Sequence, residues 1–282
     1  MNEKMFELAG GTVVGKDHYR DKGNNQDSYC FKSTGDVMAA FVCDGCGDKT
    51  NCGNSEIGAQ IGSRMLMEQV IKTALKCLTN PEFLKTDSIY FWEQIRREVL
   101  KNIYYLASQM GENSFEVITK YFLFTVVGVL ITPEWTEFVS IGDGVIIVND
   151  EIIRIGPYPN NAPPYLTYAW MPTSIDQKLL NFQIHRSMPT KELESFLLGC
   201  DGVVDLIEAE NLIIPTTEEV VGPVNQFWQN DLYFKNPFSI NRRLTIINRE
   251  RQNISSDGVV NVRRGLLHDD TTLVVGRKRK ED

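Results

Sequence analysis

Four apolar, β-branched runs follow one another between residues 121 and 155 with almost no chain between them. They cover residues 121–131, 135–141, 145–149 and 151–155. Parallel strands need a crossover connection of about a dozen residues or more, and these short connections leave no room for one. The region therefore predicts an antiparallel strand meander.

Two long helical patterns precede the meander, over residues 55–78 and 88–110. In the first, Ile57, Ile61 and Met65 recur at four-residue intervals, as on one face of an α-helix. Apolar runs bounded by turn residues predict further strands at 11–16, 36–43, 179–185, 195–200 and 271–276. Helical patterns return at 218–228 and 238–251. Because helices cluster between blocks of strands instead of alternating with them, we expect an α+β fold.

The domain organisation is predicted to be simple. The chain has no internal repeat, low-complexity segment or Gly/Ser linker, so we expect one domain over residues 1–282 with its core at about 11–277. The short basic tail, 277–282, is interpreted as a solvated end, with a targeting or docking role as the alternative. Residues 156–173 carry five prolines and an Asn-Asn pair, which predicts a loop.

Composition restricts the partners and the location of the protein. The formal net charge of −8 argues against nucleic-acid binding, which needs clustered Lys and Arg. No apolar stretch approaches the roughly 18 residues of a membrane span. The first four residues lack the basic and then apolar pattern of a signal peptide. We therefore expect a cytoplasmic protein that does not associate with membranes.

Six cysteines are present, and in a reducing compartment we expect free thiols. Cys43, Cys46 and Cys52 are spaced loosely like zinc ligands, but no second Cys pair or His pair follows at a suitable distance. Buried apolar thiols are the favoured interpretation, with zinc as the alternative.

Four stretches place an aspartate at or beside the end of an apolar run: Asp27, Asp44, Asp201 and Asp269. Strand ends lie at the rim of a sheet, and several carboxylates brought together there cannot all ionise stably without a cation. Oxygen-seeking Mg²⁺ or Mn²⁺ meets that need. A lone Asp-Gly pair indicates only a turn. Here, however, Asp44 and Asp201 follow strongly apolar strands and lead into helical patterns.

These stretches resemble, in order, the motifs of the PPM family of metal-dependent protein phosphatases, the type 2C class. The matching residues are Asn25-Gln26-Asp27, Asp44-Gly45-Cys46-Gly47 with Ser55-Glu56, Gly142-Asp143-Gly144, Cys200-Asp201-Gly202 and Asp269-Asp270-Thr271-Thr272. Each motif is weak alone, but together they span residues 11–277. The resemblance implies a four-layer αββα sandwich, with two central antiparallel sheets flanked by helices.

The resemblance also implies roles for individual residues. Asp44 is similar to the carboxylate that bridges two metal ions, and the Gly45 carbonyl to a ligand of one of them. Asp201 and Asp269 are similar to the other direct ligands. Asp27 is similar to the N-terminal carboxylate that holds a metal ion or its water. Two Mg²⁺ or Mn²⁺ ions are therefore expected, with no choice between the two metals.

The sequence departs from the family pattern where substrate phosphate is held. Lys22 stands in the place of an arginine, without its two-pronged guanidinium, and Arg20 is the alternative phosphate ligand. Residues 121–124 offer no acidic side chain, which does not favour a third metal ion. Asp143 lacks the Ser-Arg that often follows it in the family, so we interpret it as a turn or strand-pairing residue and not as a ligand. Asp270 is the alternative to Asp269 as a ligand.

Other candidates have two interpretations. His268 neighbours Asp269 and either relays protons or contacts phosphate, or it supports its neighbour. His18 and His185 are interpreted as structural or exposed. The proline-rich loop at 156–173 occupies the place of a variable flap in the family, where it either selects substrates or is an ordinary surface loop.

The expected function is hydrolysis of phosphoserine and phosphothreonine in proteins. By resemblance, a water or hydroxide between two cations attacks phosphorus, and no phosphoenzyme forms. We expect a monomeric signalling enzyme of bacterial type that acts on phosphorylated protein substrates. The alternatives are a catalytically silent PPM-like module that binds phosphoproteins, and a hydrolase of small phosphate esters.

Overall fold

The computed structural model describes residues 5–20, 23–47, 52–80, 82–171 and 175–279. Its strands are β1 Phe6–Val13, β2 Asp27–Thr34, β3 Val37–Asp44, β4 Val126–Ile131, β5 Trp135–Ile141, β6 Gly144–Val148, β7 Glu151–Ile155, β8 Gln183–Pro189, β9 Ser195–Gly199, β10 Arg251–Ile254, β11 Val260–Arg263 and β12 Thr271–Lys278. Its α-helices are α1 Lys16–Arg20, α2 Ser55–Cys77, α3 Phe83–Thr86, α4 Ser88–Met110, α5 Ser114–Tyr121, α6 Val203–Glu208, α7 Gln226–Gln229, α8 Leu232–Lys235 and α9 Ser239–Ile247.

The strands form two five-stranded sheets and one separate hairpin. The first sheet has the order β1-β12-β9-β6-β7, and the second has the order β2-β3-β4-β5-β8. All of the pairs are antiparallel. Strands β10 and β11 pair only with each other.

The predicted meander is antiparallel, as expected, but it is divided between the two sheets, so β5 and β6 are not neighbouring strands. Strands β4 and β5 pair in the second sheet, and β6 and β7 pair in the first. The chain crosses from one sheet to the other at Gly142-Asp143-Gly144. Both glycines have positive φ, 93° and 140°. Glycine adopts this conformation at little cost, so the chain can leave one sheet abruptly here.

Strand β3 shows how the layers are filled. Ala40 and Val42 face the other sheet, within the core that the two sheets share. Val37 and Phe41 face the opposite way, into a second core with α2 and α4. Successive side chains of a strand point to opposite faces, so a strand buried on both sides is apolar throughout. This accounts for the continuous apolar run at 36–43.

The remaining helices complete the layers. Ile240, Leu244 and Ile247 of α9 pack against the outer face of the first sheet. Helices α2, α4 and α5 cover the outer face of the second sheet. The result is the four-layer α+β sandwich that the family resemblance implied. Among the described residues, no helix combines the length and apolarity that a membrane span requires.

Helices α2 and α4 confirm the two long helical predictions, but several shorter predictions need correction. The strand predicted at 11–16 runs from Phe6 to Val13 and pairs with β12 over that length. The segment 179–185 begins in a 3₁₀ turn, because the Asp176 side chain accepts a hydrogen bond from Lys178 N (2.9 Å). The apolar run 121–131 starts at the end of α5, and β4 begins only at Val126.

The helix predicted at 218–228 is wrong, because only Gln226–Gln229 is helical there. Gly222 has a φ of 81°, and the proline that follows has no N–H to donate within a helix. The helix predicted at 238–251 ends at Ile247, and Arg251 already belongs to β10. Strand β2 was not predicted, since it is an edge strand of mixed polar sequence.

Candidate metal centre

Strands β2 and β3 bring two carboxylates side by side. Asp27 is the first residue of β2 and Asp44 the last residue of β3, and the antiparallel register pairs them directly. Gly45 N donates to Gln26 O (3.1 Å), so the chain stays held at this edge as it leaves β3. The rim of the second sheet therefore carries two adjacent acidic groups.

The first sheet contributes further carboxylates at the facing rim. Asp201 follows β9, and Asp269 and Asp270 precede β12, its neighbour in the sheet. Cys200 N donates to Thr272 O (3.1 Å), which fixes these two segments together. Asp143 lies where the chain crosses between the sheets. The two sheets thus present their acidic ends to each other.

A pocket of about 90 Å³ lies at this meeting point. It is lined by His18, Gln26, Asp44, Gly45, Gly47, Thr125, Asp143, Asn161, Pro163, Tyr165, Asp201 and Asp269. Of the residues that the structure describes, this lining includes four aspartates and neither a lysine nor an arginine. Such a concentration of negative charge in a confined space favours a multivalent cation.

Burial and mutual repulsion raise the pKa values of these carboxyl groups. The pKa of Asp44 is raised well above its usual range, first by burial and then by the charges of Asp27 and Asp201. Burial and the charge of Asp270 raise the pKa of Asp27 to about 8. Burial and Asp201 raise the pKa of Asp143 to about 6. Without a cation, the cluster holds protons at neutral pH.

The carboxylate oxygens fit a divalent metal ion. Both oxygens of Asp27 and Oδ1 of Asp201 are buried without a hydrogen-bond partner among the described residues. Buried acceptors without partners are rare and destabilising. A hard cation with oxygen ligands would satisfy them, and Gly45, whose carbonyl is a predicted ligand, lines the same pocket. The predicted ligand roles of Asp44, Gly45, Asp201, Asp269 and Asp27 remain predictions.

Asp269 and Asp270 have different surroundings. Asp270 is buried and accepts hydrogen bonds from Gly15 N (2.8 Å) and Gln26 N (2.6 Å). Its oxygens therefore join the start of β2 to the segment that precedes α1. Asp269 lines the pocket instead, and its pKa is raised by burial and by Asp201. The geometry thus favours Asp269 over Asp270 as the ligand of this pair.

The three histidines occupy different positions relative to the pocket, and only His185 clearly keeps the structural role expected of it. His18 lines the pocket, with Nδ1 at 3.0 Å from Asp270 Oδ1 and 3.8 Å from Asp269 Oδ1. His268 is not part of the pocket lining, and its Nε2 lies 2.9 Å from Lys16 Nζ. His185 contacts Ser140 Oγ at 2.8 Å, outside the pocket. His18 had no sequence signal, because it lies in a five-residue helix without a motif.

Of the two predicted phosphate ligands, only Arg20 lies within the described residues, and it does not line this pocket. Lys22 lies outside the described residues. The Arg20 side chain is 56% exposed, contacts Asp17 Oδ1 at 3.8 Å, and lines a neighbouring pocket. Their roles in binding phosphate remain predictions.

The proline-rich loop contributes directly to the site. Asn161, Pro163 and Tyr165 line the pocket, and Tyr165 packs in a small cluster with Cys46 and Cys52. Burial is the main cause of the raised pKa of Tyr165. Cys43 lies in the separate core under α2, so the three cysteines do not converge as zinc ligands. Of the two interpretations of the loop, a flap near the site and an ordinary surface loop, these contacts favour the flap.

Comparison with known proteins places this site in a family. The sequence profile described as Protein phosphatase 2C matches residues 14–231, more than half of the chain. The chain therefore belongs to the protein phosphatase 2C family. No curated protein sequence matches it.

Solved structures agree with the fold. A crystal structure of a bacterial serine phosphatase has a TM-score of 0.51 and 14% identity, covering 98% of this chain and 99% of that chain. An arginine-to-alanine variant of a bacterial serine phosphatase also has a TM-score of 0.51, with 13% identity, covering 98% of this chain and 100% of that chain. At this level of identity, the likeness concerns the fold.

Proposed function

We propose that this protein is a metal-dependent phosphatase that hydrolyses phosphoserine and phosphothreonine in proteins. The observation that carries the proposal is the convergence of carboxylates from both sheets on one small pocket, with the buried oxygens of Asp27 and Asp201 lacking partners. Membership of the protein phosphatase 2C family supports the reaction class.

Asp44, Asp201, Asp269 and the Gly45 carbonyl are the proposed ligands, with Asp27 holding a metal ion or its water. When bound, Mg²⁺ or Mn²⁺ supplies Lewis acidity that polarises phosphate oxygens and lowers the pKa of water. The charges of Asp27, Asp201, Asp269 and Asp143 all act on Asp44, so a cation bound at Asp44 would offset repulsion from all four neighbours.

Hydrogen bonds hold the loop that follows Asp44 in place. Ser55 Oγ donates to Cys46 O (2.8 Å), and Gln26 Nε2 donates to Ser55 Oγ (3.1 Å). Cys46 N donates to Leu123 O (2.9 Å). A ligand loop fixed in this way needs little rearrangement, which favours tight binding and electrostatic catalysis.

A silent phosphoprotein-binding module is less well supported. A protein without metal chemistry gains nothing from buried, mutually repelling carboxylates, which destabilise the folded state. A hydrolase of small phosphate esters differs only in substrate. Comparing kcat/KM for a phosphothreonine peptide and a chromogenic phosphate ester separates these possibilities.

The direct test is turnover of both substrates with Mn²⁺, with Mg²⁺ and with chelator. We expect metal-dependent activity that Asp201→Asn lowers by about two orders of magnitude or more. Asp150→Asn is the matched control, because Asp150 is exposed in the β6–β7 turn, and it should retain wild-type activity. Absence of metal-dependent turnover in the wild type, or full activity of Asp201→Asn, contradicts the proposal.

A further inference from the structure

A second pocket, of about 530 Å³, lies beside the carboxylate site. The two pockets share α1: His18 lines the first, whereas Lys16, Tyr19 and Arg20 line the second. Arg249 and Arg264 complete the charged lining, with Glu250 as its one acidic residue in the described part of the chain. This local excess of positive charge contrasts with the net charge of −8 of the whole chain.

Two of the cations in this pocket form no ion pair within the described part of the chain. Lys16 Nζ donates to Gly265 O (3.1 Å), and Arg20 contacts Asp17. Arg249 and Arg264 are exposed, and neither forms an ion pair with any residue that the structure describes. Their guanidinium groups are therefore accessible to the carboxylates of a partner, which they bind with well-defined geometry.

The neighbouring β10–β11 hairpin extends the positive surface. Arg251 pairs directly with Arg263 across the two strands, and every residue of both strands is exposed. Like charges in this position repel and destabilise a hairpin. An isolated two-stranded hairpin is also only marginally stable in water. An anionic partner would offset the repulsion at this position.

The separation of the two pockets limits what can bridge them. Helix α1 contributes residues to both pockets, so the diameter of an α-helix, about 10 Å, sets the scale of their separation. An extended peptide covers about 3.4 Å per residue, so roughly three residues span that distance. A peptide with its phosphorylated residue at the metal centre would therefore reach the second pocket with residues about three to five positions away.

We propose that this pocket binds acidic side chains about three to five residues from the phosphorylated residue of a protein substrate. The preferred substrate class is thus a phosphoprotein with acidic sequence near the phosphorylated site. The inference rests on the proposed phosphatase activity, because it concerns the choice of substrate for that reaction. It depends on the charges of Lys16, Arg20, Arg249 and Arg264 for its specificity.

The test compares three phosphothreonine peptides that carry Glu, Gln or Lys at these flanking positions. We expect kcat/KM for the Glu peptide to exceed that for the Gln peptide by about tenfold at low salt, through KM, and the difference to shrink at high salt. Arg249→Glu/Arg264→Glu should reverse the preference in favour of the Lys peptide. Hydrolysis of the chromogenic ester should be unchanged in this variant, because that substrate is too small to reach the pocket.

The matched control is the double substitution Lys72→Glu/Lys101→Glu. Both lysines are exposed, on α2 and α4, and replacing them changes the net charge by the same amount. This control should keep the wild-type order of substrates. Equal kcat/KM for the three peptides, with ester hydrolysis intact, overturns the docking proposal alone. Loss of all metal-dependent turnover instead contradicts the proposed function.

Fluorescence anisotropy with the same labelled peptides tests the pocket independently of turnover. The Glu peptide should bind most tightly, and Arg249→Glu/Arg264→Glu should abolish that preference. Tighter binding of a single-stranded oligonucleotide at this pocket overturns the assignment to acidic peptides.

Discussion

Buried aspartates at the proposed metal centre differ in whether their carboxylate oxygens have hydrogen-bond partners. Asp27 is buried beside Asp44 with both oxygens lacking partners among the described residues. Asp270 is also buried, but its two carboxylate oxygens accept hydrogen bonds from two backbone N–H groups. The same side-chain type thus serves two purposes, one structural and one suited to a cation, because their hydrogen-bond partners differ.

The first prediction concerns the pH dependence of stability in chelator-treated protein. The pKa of Asp27 rises from 3.8 to about 8 in the folded state, so between these values the folded protein binds more protons than the unfolded chain. The free energy of unfolding therefore decreases as pH rises from about 4 to about 8, by at most about 6 kcal/mol, the value for one group whose pKa rises this far. Asp143, whose pKa is raised to about 6, contributes in the same direction.

Urea unfolding at about pH 5, 6.5 and 8, followed by circular dichroism, measures this trend. Asp27→Asn removes the ionisable group, so its stability advantage over the wild type should grow with pH. Adding Mn²⁺ should weaken the decline in the wild type, because the metal ion replaces protons at the cluster. A stability of chelated wild type that rises with pH over this range contradicts the prediction.

Whole elements are held in register by polar groups buried between them. Glu137 of β5 is 1% exposed and accepts hydrogen bonds from Ser88 Oγ (2.7 Å), Trp92 Nε1 (2.8 Å) and Ser187 Oγ (2.9 Å). These donors lie on α4 and β8, so one carboxyl group joins a helix to two strands. Burial raises the pKa of Glu137, while the three hydrogen bonds act in the opposite direction.

Replacing this group tests its contribution to stability. Glu137→Ala leaves three buried donors without an acceptor and should lower the free energy of unfolding by about 2–4 kcal/mol. Glu137→Gln keeps an acceptor and should cost less than the alanine substitution. Glu134→Ala, at an exposed position just before β5, should change stability by less than about 0.5 kcal/mol. Thermal and urea unfolding give the values, and equal losses for all three variants would count against this role.

At the scale of the whole molecule, the proposed metal centre lies where the two sheets meet. Asp44 belongs to one sheet and Asp201 follows a strand of the other. A cation that binds both therefore acts across the sandwich and stabilises the folded arrangement as a unit. In the unfolded chain these carboxylates are far apart, so binding is coupled to folding.

Metal binding should consequently raise the melting temperature. At a metal concentration near 100 times Kd, the added stability is about 2.7 kcal/mol, or roughly 5–10 °C for a chain of this size. Differential scanning fluorimetry with Mn²⁺ and with Mg²⁺ measures the shift without reference to activity. Asp44→Asn should lose it and Asp150→Asn should retain it. A shift of wild-type size in Asp44→Asn would remove Asp44 from the ligand set.

Much of this molecule was predictable because its signals are local. Helices α2 and α4 follow from the spacing of apolar residues within a few turns, and β5 and β7 from short runs between turn residues. Asp44 and Asp201 stood out because each follows an apolar strand and precedes glycine. These patterns depend on the backbone geometry of neighbouring residues, which the order of amino acids specifies directly.

Other features depend on contacts between distant parts of the chain. Gly15 N and Asp270 Oδ1 are 255 residues apart in sequence and form a hydrogen bond, whereas the adjacent Asp269 lines the pocket. The approach of His18, Asp143 and Tyr165 to the carboxylates follows in the same way from the packing of two sheets and a loop. Sequence pattern thus indicated which aspartates end strands. Which of them share a pocket, and what surrounds them, follows from packing, because burial and repulsion act through space rather than along the chain.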